Sequence, residues 1–296
     1  MKRLFTFGCS YTNYGWPTWA DLLGLEFDHF ENWGLSGIGC RAIQERIIEC
    51  HVRNEFKPGD TVIVQWSSHL RNDFHNDNTA LADRINGWRT YGSIFNHANH
   101  RLYTDKWLDI FFNEQSYIMH CLNAIMIAQE FLKSTGVTWH MSSIGEWDKL
   151  GSDLDAISAK NEIGSKIENL WDTFPDLQIY KDKIWSNNSE HWLTPHALDA
   201  NKYPELYWWF KADHDKEAWR EQHPSISQHS LWLNNLRPKL NLPNELPESH
   251  KLWVKEIENI KSKSLDMLQF TSFLINDHAS VNNWPKNIWP KDYIGF

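Results

Sequence analysis

The amino-acid sequence predicts an α/β protein, a three-layer α/β/α arrangement around a parallel sheet, with a long loop insertion and a C-terminal helical appendage. Two observations carry this. Short apolar runs alternate with segments of helical period in the order βαβαβ, long loop, αβ, which implies a parallel sheet with helices on both faces. The run Thr61-Val62-Ile63-Val64-Gln65-Trp66 is β-branched and almost continuously apolar, the pattern of a central strand covered on both sides.

Residues 2–8 are short, aromatic and end at Gly8, as a buried strand entering a tight turn does. Trp16-Pro17 followed by Trp19, Ala20, Leu22 and Leu23 predicts a helix with proline in its first turn. A second strand is expected to end near Asn32. Beyond Gly34, Gly37 and Gly39, the segment Arg41 to Phe56 sets Ile43/Ile47 and Ile48/Val52 four apart, an amphipathic helix. Pro58-Gly59-Asp60 turns the chain into the Thr61–Trp66 strand. Residues 68–113 are polar, rich in His and Asn and without a period, which suggests a functional loop or lid. Gln115 to Ser134 places Ile118, Leu122, Ile125 and Leu132 on one helical face, closes at Gly136 and leads into a strand over Val137 to Ser142. A second insertion over 144–215 contains a helix near Ala156 to Trp171 and the aromatic run Tyr203 to Phe210. A helix over Ser225 to Leu236 comes after His223-Pro224, and Pro238, Pro243 and Pro247 mark a linker. A last helix runs from Leu252 to about Phe273. One domain over 1–240, carrying the two insertions, is thus followed by linker, helix and tail over 241–296.

The chain has 296 residues, 41% of them hydrophobic and 23% charged, which excludes wholesale disorder and fibrous repeats. With 29 basic against 38 acidic residues the formal charge is -9, and no basic stripe is present, so nucleic acid is not the expected partner. No apolar run approaches the roughly 18 residues a membrane span needs, so no membrane partner is expected. The stretch after Met1-Lys2-Arg3 is too short for a signal peptide and reads as a first strand. Four cysteines without a C-x-x-C pair suit neither a disulfide framework nor a zinc site, so a reducing, cytoplasmic setting is expected. Neither a cofactor nor a metal is called for. His97 and His100, with His69, His75 and His214, have no fixed ligand spacing and read as solvated. The outlier is tryptophan, at 18 residues, more than core packing requires.

Three segments could carry chemistry. Ser10, in Phe7-Gly8-Cys9-Ser10-Tyr11-Thr12, lies just past the first strand, at the sheet edge where ligands bind in open α/β folds. A serine there is a nucleophile or, more plainly, a cap for the next turn. Asn32-Trp33-Gly34-Leu35-Ser36-Gly37, past the second strand, offers glycine N–H groups suited to an oxyanion, or is an ordinary glycine-rich turn. Glu221-Gln222-His223-Pro224 puts an imidazole just before a helix start, although a lone histidine is usually structural.

Taken in this order on this fold, the three segments resemble the SGNH (GDSL-like) hydrolase family over roughly residues 1–235. The resemblance implies a flavodoxin-like sheet and a serine esterase or deacylase acting on an acyl ester of a small molecule or carbohydrate. It assigns Ser10 as nucleophile, Gly37 as oxyanion glycine and His223 as base, with the N–H groups of Ser10 and Gly37 holding the oxyanion. The chain departs from the family at three places. Cys9 replaces the usual aspartate. The third block reads Gln65-Trp66-Ser67-Ser68 where the family ends in Gly-x-Asn-Asp, so a side-chain amide donor is missing. Ser68 is assigned to that role, with Ser67 and Asn72 as substitutes; loss of one such donor typically costs on the order of 10² to 10³ in rate. The acid becomes Glu221, two residues before the base, with Asp215 in reserve. Cys9 is the rival nucleophile, although family register turns its side chain elsewhere. Two other functions stay open: a catalytically weakened ligand-binding or structural protein, and an acyltransferase using the same triad.

The resemblance also gives the tryptophans a location. Trp16, Trp33 and Trp66 follow strand ends and Trp208, Trp209 and Trp219 precede His223, so these six are expected to line one cleft, with Trp16, Trp33, Trp66 and Trp209 binding substrate. Tyr207 to Phe210 would stack on sugar rings or acyl chains, or pack in a core. The stripe Trp253, Ile257, Ile260, Leu265 and Leu268 docks on its own domain or forms a contact in a homo-oligomer.

Overall fold

The computed structural model describes residues 1–75, 88–89, 92–95, 103–145, 147, 169–196, 207–211, 218–264, 266 and 270, and at 75, 88–89, 207, 209, 211 and 218–222 the backbone alone. Strand β1 (Arg3–Phe7), helix α1 (Trp19–Gly24), β2 (His29–Asn32), α2 (Cys40–Asn54) and β3 (Thr61–Trp66) alternate as expected. The inserted segment contributes the two-residue strands β4 (Phe74–His75) and β5 (Trp88–Arg89) and helix α3 (Asp105–Phe111). Next come α4 (Glu114–Thr135), β6 (Thr138–Ser143) and the short helices α5 (Leu170–Thr173) and α6 (Gln178–Ile184). The hairpin β7 (Tyr207–Lys211) and β8 (Ala218–Pro224) leads into α7 (Ile226–Leu236) and α8 (Glu248–Lys263).

Strands β2, β1, β3 and β6 form one parallel sheet in that order, with β3 between β1 and β6. The two-residue period of a strand sorts its side chains to two faces. Phe5, Phe7, Val62 and Val64 pack with Ile43 and Ile47 of α2 and Ile118, Leu122, Ile125 and Leu132 of α4. Leu4 and Ile63 pack on the other side with Leu22 and Leu23 of α1, Trp232 and Leu233 of α7, and Trp253 and Ile257 of α8. The result is a flavodoxin-like α/β/α sandwich. The last helix therefore seats its Trp253/Ile257 stripe in the core of its own chain.

Several boundaries differ from expectation for identifiable reasons. Thr18 is the N-cap of α1 and forms a capping box with Asp21, so Pro17 precedes the helix instead of entering it. In α2 the buried stripe is Ile43, Ile47 and Cys50, whereas Ile48 and Val52 face outward at 36% and 72% exposure. A helix carrying two i,i+4 apolar pairs has room to bury one of them, and packing against α4 selects the first. Helix α4 runs from the Asn113 cap to Gly136, whose φ of 72° closes it. Helix α8 begins at Glu248, a turn earlier than expected. The aperiodic insertion has a small core of its own, Ile94, Tyr103 and Leu108. Its helix α3 has only 7 residues, too few to show a period. The helix expected near Ala156 falls mostly outside the described residues, as do Leu265 and Leu268. Among the described residues no helix is long and apolar enough to cross a membrane.

One buried ion pair joins the ends of the second core. Arg237, fully buried, donates to Glu26 through both Nη1 and Nη2, the latter at 2.9 Å, and through Nε to the Pro243 carbonyl. Removing one partner of such a pair strands the other charge. Arg237→Met is expected to lower unfolding stability by about 3–5 kcal/mol in urea titrations, and a loss under about 1 kcal/mol would mean the pair is not a structural tie.

Candidate active site

The turn after β1 is built by close approach. A Cβ on Gly8 would lie 2.1 Å from Thr12 Oγ1 and 3.0 Å from the Gln65 carbonyl oxygen, so only glycine fits there. The N–H groups of Thr12 and Asn13 both donate to the Cys9 carbonyl, at 2.9 and 3.0 Å, and curl the turn tightly. Thr12 Oγ1 donates to Gln65 Oε1 at 3.0 Å, and Trp19 Nε1 reaches the same oxygen at 3.3 Å. The Thr12 carbonyl accepts from Asn32 Nδ2 at 2.8 Å and Thr18 Oγ1 at 2.6 Å. Asn13 Nδ2 donates to the Gly34 carbonyl at 2.9 Å, and the Leu35 N–H to the Gly8 carbonyl at 2.9 Å. The segments following β1 and β2 are thus stitched to each other and to the end of β3.

The nucleophile candidate sits in this turn. Ser10 is 5% exposed, while Cys9 is fully buried and belongs to the core with Phe7 and Trp66. Gly37 occupies the tip of the turn from Leu35 to Ile38 with φ 85°, a left-handed conformation that favours glycine. Its carbonyl accepts from the Gly92 N–H of the insertion at 3.1 Å. Among the described residues, the N–H groups of Ser10 and Gly37 and the Ser10 hydroxyl are not taken up by hydrogen bonds, and Ser10 Oγ is not bonded to His223. In the third block, Ser68 Oγ accepts the Leu70 N–H at 3.2 Å, and Ser67 Oγ is buried without a partner. The Asn72 carbonyl accepts the Tyr103 hydroxyl at 3.3 Å.

His223 reaches the same turn from the far end of the chain. Its ring stacks on Tyr14 at 3.8 Å and 21° between planes, lies 5.9 Å from the Tyr11 ring and meets Trp16 edge-on at 6.4 Å. Trp16 Nε1 donates to the Pro224 carbonyl at 3.0 Å, which pins the corner between β8 and α7. Ser225 caps α7 by accepting the Gln228 N–H at 3.2 Å. The backbone of Glu221 lies in β8, two residues before His223; the side chain of Glu221 and the whole of Asp215 lie outside the described residues.

The aromatic cleft requires correction. Trp16, Trp33 and Trp66 are 1%, 2% and 0% exposed and therefore cannot line an open substrate surface. They are also divided between the cores, Trp33 and Trp66 on one face of the sheet and Trp16 on the other. Strand parity accounts for Trp66, which points with Val62 and Val64 toward α2 and α4. Trp208 is buried as well, and the side chains of Trp209 and Trp219 lie outside the described residues.

Sequence reasoning missed Tyr14, which stacks on His223, and His196, which packs on Tyr11 of the same turn. His196, fully buried, meets the Tyr11 ring in a T-shaped contact at 5.4 Å, and lies 4.8 Å from the His229 ring and 4.4 Å from Trp232. Nothing in the sequence marks it, because its place depends on the His196 N–H docking on the Ser143 carbonyl at the end of β6. Tyr14, four residues past Ser10, was visible as an aromatic, but its partner is a long-range one. His69 is buried with Nε2 3.5 Å from Glu114 Oε1, while His97, His100 and His214 lie outside the described residues.

Burial gives the region a pH signature. Desolvation pulls His196 down to about 3 and His140, of β6, down to about 4, and lowers His229 strongly, with smaller contributions from His196 and His223. The unfolded chain takes up these protons near 6.5, so the stability of the neutral, folded histidines is present above 6.5 and lost as pH falls toward 4. Burial raises Asp21 to about 6 from 3.8, which works in the opposite direction across that window. Burial also lowers His250 and raises Asp73, so four histidines stand against two aspartates. Urea unfolding is expected to show stability falling from pH 7 to pH 5, and His196→Gln should flatten that slope by about 1 kcal/mol per pH unit; an unchanged slope would contradict the assignment.

No family model and no curated protein matches this chain. Among solved structures, a member of the lipolytic protein G-D-S-L family from Veillonella parvula DSM 2008 aligns at a TM-score of 0.40 and 13% identity, over 80% of this chain and 96% of that one. A likeness that distant leaves the chemistry of the site to be decided by this chain's own residues.

Proposed function

We propose that this chain is a serine esterase or deacylase of the SGNH (GDSL-like) type, cleaving an acyl ester of a small molecule or carbohydrate. One observation carries the proposal. The His223 ring lies against the turn that holds Ser10, stacked on Tyr14 at 3.8 Å, at the carboxyl-end edge of a parallel sheet. Ligands of open α/β sheets bind at that edge. The unengaged N–H groups of Ser10 and Gly37 support an oxyanion site beside it.

Each residue then has a task. Ser10 Oγ attacks the ester carbonyl while His223 accepts its proton, which requires the two to approach within about 3 Å once substrate is bound. Glu221, just upstream on β8, holds the imidazole tautomer and stabilises the imidazolium. The N–H groups of Ser10 and Gly37 bind the developing oxyanion. The Ser68 hydroxyl, whose oxygen already accepts Leu70, keeps its proton to donate in place of the missing amide. His223 returns the proton to the leaving alcohol, then activates the water that releases the acyl group.

A panel of short acyl esters and a serine-directed phosphonate test this. Turnover should fall by roughly 10⁴-fold or more in both Ser10→Ala and His223→Ala. Phosphonate labelling should persist in Cys9→Ala and vanish in Ser10→Ala. The reverse labelling pattern would make Cys9 the nucleophile, and a wild-type protein inert to both reagents would leave a ligand-binding role on the same fold.

A further inference from the structure

Helix α8 lies beyond the region that resembles the hydrolase family, yet one of its carboxylates touches both segments that flank His223. Glu258 Oε2 accepts the Trp208 indole N–H at 2.9 Å, and Glu258 Oε1 accepts the Ser227 hydroxyl at 2.6 Å. Trp208 lies in β7, the partner strand of β8, next to Tyr207, which pairs with Pro224. Ser227 lies in the first turn of α7, four residues past His223. One turn further along α8, Lys261 Nζ sits 4.3 Å over the ring of Phe210, also in β7.

From Trp208 the contact continues to the imidazole. Its ring packs 5.0 Å from Trp16, which in turn bonds the Pro224 carbonyl and meets the His223 ring edge-on. Docking of α8 is already served by the burial of Trp253 and Ile257 in the second core. The half-buried Glu258 carboxylate adds two charge-assisted hydrogen bonds to that burial, and by taking one donor on each oxygen it fixes the two donors relative to each other. We propose that Glu258 is a positioning residue: it clamps the β7–β8 hairpin to the start of α7 and thereby sets His223 over Tyr14 and the Ser10 turn. This assignment rests on the esterase proposal for its catalytic consequence, and on geometry alone for its structural one.

Two readouts keep those apart. The first is NMR of the His223 ring protons, which the stacked Tyr14 face should hold upfield in the wild-type protein. The second is the rate of phosphonate labelling at Ser10 together with kcat and KM on the best ester. Glu258→Ala is expected to move the His223 signals toward unstacked positions and to slow labelling and kcat on the order of 10- to 100-fold, with KM little changed. Glu258→Gln, which keeps an acceptor oxygen, should restore most of both. Ser227→Ala removes one donor and serves as the milder variant if Glu258→Ala does not fold. Lys255→Ala, on the exposed face of α8, should match wild type. Folded Glu258→Ala with wild-type His223 signals and labelling would overturn the clamp. If the wild-type protein neither labels nor turns over, the esterase proposal fails while the NMR comparison still decides the positioning role.

Discussion

The hydrogen bond from Thr12 Oγ1 to the buried Gln65 side-chain oxygen is the contact on which the functional edge depends. Gln65 is fully buried at the end of the central strand, and the same oxygen holds the Trp19 indole. Thr12 in turn fills the space a Gly8 side chain would need and offers its carbonyl to Asn32 and Thr18. One threonine therefore fixes the turn of Ser10 to the third strand, the second strand and the first helix together. Losing the Thr12 hydroxyl would leave Trp19 as that oxygen's donor and cost about 0.5–1.5 kcal/mol, and the same loss would free the turn that the nucleophile needs rigid. Preorganised donors aimed at a developing oxyanion are useful only on such a fixed frame.

The tryptophan excess belongs to the same frame. Several indoles spend their N–H on a defined acceptor that ties distant segments: Trp16 on Pro224, Trp19 on Gln65, Trp208 on Glu258, and Trp232 on Thr194 and Pro195. A large apolar ring with one directional donor both fills core volume and cross-links loops that regular secondary structure leaves unpaired. These cross-links give the surplus over ordinary core packing a structural use, and the bonds of Trp16 and Trp208 converge on the corner carrying His223.

Much of the scaffold was legible in the sequence. Strand β3 declared itself through an almost continuous β-branched apolar run and helix α4 through its helical period, and the alternating order implied the parallel sheet. The burial of Trp66 was also legible, since it shares parity with Val62 and Val64, although its place at a strand end suggests a cleft instead. The choice between Ile43/Ile47 and Ile48/Val52 was not legible, because a helix with two apolar pairs does not say which one its neighbour covers. The hairpin β7–β8 was hidden for a related reason: its aromatic run fits a strand, a core or a surface equally well. Of the site, Ser10, Gly37 and His223 came from ordered motifs. Tyr14 under the imidazole, His196 beside Tyr11 and the Glu258 clamp are contacts between residues far apart in sequence, and no local pattern encodes them.

The proposed chemistry therefore centres on a single juxtaposition, His223 and the Ser10 turn sharing one frame with two unengaged N–H groups. A crystal structure of the phosphonate-treated protein tests it most directly. The expected adduct has phosphorus bonded to Ser10 Oγ, its oxygen within about 3 Å of the Ser10 and Gly37 nitrogens, and His223 within hydrogen-bond reach. An adduct on another residue, or a phosphoryl oxygen that faces neither nitrogen, would contradict it.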